Sequence, residues 1–206
     1  MQYKTLSFLF VAVTGILLLV CCGENKTAQQ TAATPFFGGY ESQEKWGHHL
    51  VAVGGCGDCH TPKKMTPMGP VQDSALLLSG HPSVVPIPDI DRKMLESKGM
   101  AATQTLTAWV GPWGVSFAAN LTPDSTGLLA WTEEQFITAM HEGFSKGIKG
   151  NRRILPPMPI EATVNFTNDE LKAIFAYLKT IPPIKNVVPQ PLPPVAPPPP
   201  PPAAAN

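Results

Sequence analysis

The chain has 206 residues and carries 15 Lys and Arg against 15 Asp and Glu, so its formal net charge is zero. That length holds one ordinary domain with tails and falls a little short of two. A neutral chain has no basic surplus with which to neutralise phosphates, which argues against nucleic acid as a partner.

The N-terminus reads as an export signal. Lys4 gives the positive start, and Leu6 to Val20 form an apolar run broken only by Ser7, Thr14 and Gly15. At about 15 residues the run is shorter than the roughly 20 a spanning helix needs; a retained transmembrane anchor is the competing reading. Leu19-Val20-Cys21-Cys22-Gly23 resembles a bacterial lipobox, which implies cleavage before a cysteine that is then diacylated. Cys22 is the expected lipid site and Cys21 the alternative, since the latter would place Val20 where a small residue belongs. More than one acyl chain gives stable anchoring without a spanning helix. The following stretch to Thr34, with Glu24, Lys26 and several Thr and Gln, reads as a tether.

A first helix is expected over about Glu41 to Val53, with Trp46, Leu50 and Val53 at i, i+4 and i+7 on its apolar face. Gly54 and Gly55 end it and let the chain turn into Cys56-Gly57-Asp58-Cys59-His60. This is the Cys-x-x-Cys-His signature of covalent haem attachment: the two thiols add to the vinyl groups, and the adjacent histidine stands beneath the iron. Cys56 and Cys59 are therefore the expected covalent attachment points of one heme c, and His60 the proximal ligand. The other His60 ring nitrogen should donate to a backbone carbonyl, for which Pro70 is a candidate; a surface turn explains Pro70 equally well. A thioredoxin-like pair would need a preceding strand in a βαβ context. A zinc site would need two more ligands, and with Cys21 and Cys22 at the processing site no cysteine remains.

From Thr61 to Trp131 prolines and glycines recur, as in Gly111-Pro112-Trp113-Gly114. The stretch reads as long ordered loops packed on haem, with a short helix near Asp91 to Lys98 and an extended piece over Thr103 to Val110. Thr132-Glu133-Glu134-Gln135 is a capping box opening a helix through about Glu142, closed by Gly143. Thr167-Asn168-Asp169-Glu170 is a second box. Behind it Leu171, Ile174, Phe175 and Leu178 form an amphipathic stripe that ends by Pro182-Pro183. Twelve of the 24 prolines lie between Pro182 and Pro202, six of them consecutive from Pro197. That composition favours polyproline II over a packed core, giving either a docking arm or a disordered tail.

A sixth iron ligand separates carrier from catalyst. Met158 lies in Pro156-Pro157-Met158-Pro159, where stiff backbone holds a thioether at little entropic cost. His48, His49, His81 and His141 could each supply a bis-histidine site instead, and are read as surface or structural. Arg152 and Arg153 either pair with haem propionates or are ordinary exposed charges. Trp113 and Asn120 lie near the haem edge or serve core and turn.

On these residues the chain resembles class I cytochromes c, and more closely the single haem modules of cytochrome subunits of bacterial alcohol and gluconate dehydrogenases. Besides the haem motif, the matching stretches are Asn120-Leu121-Thr122-Pro123-Asp124 with Gly127, Trp131-Thr132-Glu133-Glu134, Pro156-Pro157-Met158-Pro159, and Ala176-Tyr177-Leu178-Lys179-Thr180-Ile181-Pro182-Pro183. The resemblance implies an all-α cytochrome c fold, His60 and Met158 as axial ligands, and crossing terminal helices. At that crossing Gly47 would allow close approach, with Phe175 or Tyr177 over it. Those subunits carry several haem modules, whereas this chain has one motif.

The resulting expectation is a lipoprotein signal peptide over 1–21, a flexible tether over 22–38, a cytochrome c domain over 39–185 and a disordered proline-rich tail over 186–206. The function expected is one-electron transfer between redox partner proteins, on the periplasmic side or outer face of a bacterial membrane, by a carrier rather than an enzyme. A haem enzyme or gas or redox sensor with a labile sixth ligand is the alternative.

Overall fold

The computed structural model describes residues 36–195. Residues 1–35, which hold the expected signal, both lipid-site candidates and most of the expected tether, and residues 196–206 lie outside the described residues. No helix among the described residues is long and apolar enough to cross a membrane.

Helix α1, Gln43–Val53, starts on the Ser42 side chain, which accepts from Lys45 N. It buries Gly47, Leu50 and Val51, whereas Val53 is 65% exposed. The buried stripe is thus turned slightly from the expected face. The one-turn helix α2, Cys56–His60, follows at once, with Gly55 at φ +65° joining the two. Helix α4, Glu133–Glu142, and helix α6, Asn168–Leu178, each begin with both halves of the expected capping box in place. Leu171, Ile174, Phe175 and Leu178 are all buried, as the stripe required. Phe175 stacks on Phe136 of α4 at 5.3 Å between ring centroids.

Helices α1 and α6 cross at Gly47. A Cβ there would lie 1.8 Å from the Ala173 carbonyl oxygen and 2.9 Å from Tyr177 Cβ, so only glycine permits this contact. Of the two aromatic candidates, Tyr177 packs over the glycine and Phe175 turns to α4.

The all-α expectation fails between the haem motif and α4. Strands β1, Lys63–Thr66, and β2, Gly69–Gln72, form an antiparallel hairpin with Lys64 opposite Val71. After helix α3, Arg92–Lys98, come β3, Ala101–Ala102, β4, Ala108–Gly111, and β5, Gly114–Phe117, in one antiparallel sheet ordered β3-β4-β5. Turn residues at Pro112-Trp113 between β-favouring residues at Trp109, Val110, Val115 and Phe117 drive the second hairpin. The fold is therefore mixed. Thr103 to Val110 is extended only at its end, because Leu106 N returns to Thr103 O at 2.9 Å and makes a turn first. Helix α3 arises where expected, capped by the Asp91 carboxylate on Met94 N.

The disordered-tail expectation also fails as far as residue 195. Leu192 pairs with Val115 of β5 through two backbone bonds of 2.9 and 3.0 Å. Gly114, at φ +93°, makes room for this strap; a Cβ there would meet the Leu192 carbonyl oxygen at 2.1 Å. Asn186 is buried and donates through Nδ2 to the carbonyls of Ser79 and His81, each at 2.8 Å. Further on, Arg92 donates to the Pro193 carbonyl, and Val195 N donates to Glu96 Oε2, both at 2.7 Å. Prolines lack donors but keep carbonyls, so non-proline residues between them supply the N–H groups that hold the strap.

Candidate haem site

Cys56 and Cys59 stand one helical turn apart on α2, both as half-buried free thiols. Burial pushes the Cys56 thiol up to about 11 and raises Cys59 as well. Neither has the lowered pKa that marks a reactive dithiol pair. Cys56 packs against the main core.

His60 ends the same helix. Its Nδ1 donates to the Ala119 carbonyl at 2.8 Å, with the tautomer assigned from that acceptor. The expected acceptor, Pro70, instead sits exposed on β2 opposite Met65. It is displaced because the Thr61-to-Gln72 chain folds back as a hairpin and leaves the ring facing the residues after β5. The residue is half-buried by surface area, yet its surroundings hold the imidazole below its ordinary pKa, opposed by the bond to Ala119. A neutral ring with Nδ1 engaged leaves Nε2 as the coordinating nitrogen.

The segment around Ala119 is itself pinned. His81 N donates to Ala118 O at 2.9 Å, Gly80 N to His60 O at 2.8 Å, and Leu121 N to Leu78 O at 2.9 Å. Lys63 closes the end of α2, its ammonium donating to the carbonyls of Gly57, Asp58 and Thr61 at 2.6–3.0 Å, where the helix dipole favours a cation. Burial lowers the Lys63 pKa, and Asp58 opposes that shift.

Met158 lies in the loop before α5, Ile160–Thr163, half-buried against the same core as Cys56, Leu121 and Phe166. Met65, Met68, Met94 and Met100 are exposed and Met140 is buried. Among these, Met158 alone sits at the core's edge. Its loop is tied down from two sides. Ser116 Oγ donates to Pro156 O at 2.5 Å and accepts from Trp113 Nε1 at 3.1 Å. Thr163 Oγ1 donates to Met140 O at 2.6 Å, fixing the far end to α4.

The histidines read as structural have partners of their own. His81 is fully buried, with Nε2 on Val85 O and Nδ1 on Thr107 Oγ1, both at 2.9 Å. His141 Nε2 bonds to Phe166 O at 2.8 Å, His48 stacks on Tyr177 and His49 on Tyr40. Arg152 and Arg153 are exposed; Arg153 lies 4.7 Å from the Phe144 ring centroid, and neither pairs with a carboxylate among the described residues. Asn120 organises a turn. Its Oδ1 accepts from Thr122 N and Oγ1, and its Nδ2 donates to Thr126 Oγ1 and Ile184 O. Ser116 and Ala119 were not foreseen. A signal for them existed in the Gly-Pro-Trp-Gly turn flanked by β-formers, which places both on one extended segment.

This donor set fits a covalently held haem: two free thiols on one turn, an imidazole with Nε2 uncommitted, and a half-buried thioether at the core's edge.

Against known proteins, no family model matches the chain. It is 27% identical over 170 residues to the fructose dehydrogenase cytochrome subunit of Gluconobacter japonicus. The chain is thus distantly similar to a dehydrogenase cytochrome subunit. That match covers 82% of this chain but 27% of the relative, so the chain spans about a quarter of its length. A stretch of 79 residues, 38% of this chain, is 32% identical to a nicotinate dehydrogenase subunit of Pseudomonas putida, of which it covers 6%. The resemblance read from the haem motif and its companion segments is thus borne out. The first relative is named a cytochrome subunit, in line with an electron carrier rather than a catalytic subunit.

Proposed function

We propose that the chain is a membrane-anchored, single-haem c-type cytochrome that passes electrons one at a time between dehydrogenase or respiratory partner proteins. Bound haem supplies an iron that takes one electron from a reduced donor and returns it to an oxidised acceptor. Cys56 and Cys59 would hold it by thioether bonds, and His60 and Met158 would be the axial ligands. The observation that carries the reading is the α2 site, where two free thiols share one helical turn with an imidazole whose Nδ1 is fixed on Ala119.

Each residue's part follows from its place. The Ala119 carbonyl orients the His60 ring and raises its basicity as a ligand. The Met158 thioether, held by its loop, would favour the reduced state relative to a second imidazole and so raise the potential above that of a bis-histidine site. With His60 and Met158 both bound to it, the iron would carry electrons without binding substrate. Lipid on Cys22, or in the alternative register Cys21, would keep the exported chain at a membrane and concentrate it near membrane-bound partners.

The test is the mass of the denatured full chain, produced in cells that mature c-type cytochromes. One haem should remain on the polypeptide after acid extraction, and the Cys56→Ala/Cys59→Ala double variant should release it. A bare polypeptide mass for the natural sequence would overturn the reading. Cys22→Ser should move the haem protein from the membrane to the soluble fraction, whereas Cys21→Ser should not.

A further inference from the structure

We infer that Ser116, backed by Trp113, is a positioning residue for Met158, holding the loop that keeps the thioether at the iron. The inference rests on Met158 being the sixth ligand and concerns what keeps it there.

The loop cannot hold itself. Pro156, Pro157 and Pro159 have no backbone N–H, so Met158 is the only donor between residues 156 and 159. Anchoring must come through the carbonyls. Met158 O is met locally by Ile160 N at 3.0 Å, and Pro159 O by Ala162 N at 2.9 Å. Pro156 O reaches out of the loop, to the 2.5 Å bond from Ser116 Oγ across 40 residues of chain.

Ser116 suits this role. It is 5% exposed and sits on β5, paired with Trp109 of β4. Its single hydroxyl proton goes to Pro156 O while the oxygen accepts from Trp113 Nε1 at 3.1 Å. Donors in series polarise one another, so the indole strengthens the hydroxyl's bond to the loop. Three residues beyond Ser116 the same chain offers the Ala119 carbonyl to His60. One short segment therefore carries both the hydroxyl that grips the Met158 loop and the carbonyl that orients His60.

The consequence is kinetic. An outside ligand reaches the iron only when Met158 leaves, and the Ser116 bond opposes that departure. Removing the hydroxyl should raise the rate at which imidazole binds the ferric protein by about ten-fold, which is about 1.4 kcal/mol. Trp113→Phe, which keeps the ring and deletes the donor, should raise it about three-fold.

The experiment is stopped-flow mixing of imidazole with the ferric, full-length haem protein, alongside the near-red absorption band that methionine gives on ferric iron. The series is the natural chain, Ser116→Ala, Trp113→Phe, Ser116→Thr, Met158→Ala and Val115→Ala. The inference expects faster binding for Ser116→Ala and Trp113→Phe, and a rate near the natural one for Ser116→Thr, which restores the hydroxyl. Val115→Ala loosens the same buried strand without touching the bond and should leave the rate within about two-fold of the natural one. Two results would overturn it: Ser116→Ala within about two-fold of the natural rate, or Val115→Ala as fast as Ser116→Ala. If the natural protein lacks the near-red band, or Met158→Ala binds imidazole no faster than it, the ligand assignment itself fails and the inference falls with it. A natural protein with the band and an unresponsive Ser116→Ala sinks the inference alone.

Discussion

The helical frame and the β-rich stretch that follows the haem motif are held together by different chemistry. In α1, α4 and α6 the buried side chains are apolar, with Leu171, Ile174 and Leu178 at 1% exposure or less and Leu50 at 6%. Between Thr61 and Thr122, and along the strap, Leu78, Ala108, Val110, Val115 and Ala118 are joined in burial by many polar residues: Thr61, Ser79, His81, Glu96, Thr103, Thr107, Ser116, Asn120, Thr122 and Asn186. Apolar burial is non-directional and tolerates adjustment. Buried hydrogen bonds fix a geometry and punish the loss of one partner. The frame thus provides stability, while the polar stretch sets where individual groups of the site point.

That contrast can be broken most sharply in the frame. Ile174→Ala, at 1% exposure beneath α1, should cost about 4 kcal/mol and lower the unfolding midpoint of the whole domain. If the frame alone were fragile, substitutions in the β-rich half would matter little. Instead, Arg92→Met should cost about 3 kcal/mol, because it strands the Glu96 carboxylate, which is 2% exposed and accepts from Arg92 at 2.7 Å. The double variant Arg92→Met/Glu96→Leu should recover part of that loss in chemical denaturation, the strap bonds to Pro193 O and from Val195 N staying lost.

The strap gives a smaller effect. Asn186→Ala leaves the Ser79 and His81 carbonyls and the Ser83 N–H without their partner, and should cost about 2 kcal/mol. An unfolding midpoint unchanged from the natural chain would show that the strap lies on the domain without bracing it.

The smallest effect is in pH. Burial holds the His81 pKa below its ordinary 6.5, so the folded protein keeps this ring neutral while the unfolded chain protonates it near that value. Stability from His81 is therefore fully present above about pH 6.5 and declines as the pH falls toward the folded-state pKa. The thermal midpoint should drop as the pH falls below about 6.5, and His81→Gln should flatten that drop. An equal drop in both proteins would place the acid sensitivity elsewhere.

What was legible in the sequence divides along the same line. Helices α4 and α6 were readable because a capping box and an apolar period of 3.6 are local signals. The α1 and α6 crossing followed from the resemblance, and Gly47 fulfils it through Ala173 and Tyr177. The candidate site residues Cys56, Cys59 and His60 stand out by contiguity in one motif. The hairpins were hidden because their strands are four residues or fewer and their prolines and glycines read as loop. The strap was hidden because proline-rich composition speaks only to local preference, while its hold comes from Val115, Glu96 and Ser79, some 77 to 107 residues away in sequence. The Pro70 candidate for the His60 acceptor failed for the same reason: the true acceptor, Ala119, lies 59 residues on and leaves no local trace.

The central claim is a haem joined at Cys56 and Cys59 with His60 and Met158 on the iron, and an oxidised-minus-reduced visible spectrum of the full chain tests it most directly. The account predicts a sharp reduced α-band of c-type haem together with the weak near-red band of methionine on ferric iron, the latter lost in Met158→Ala. A c-type spectrum without the near-red band, or one unmoved by Met158→Ala, would contradict the ligand set, and the absence of any haem band would contradict the function.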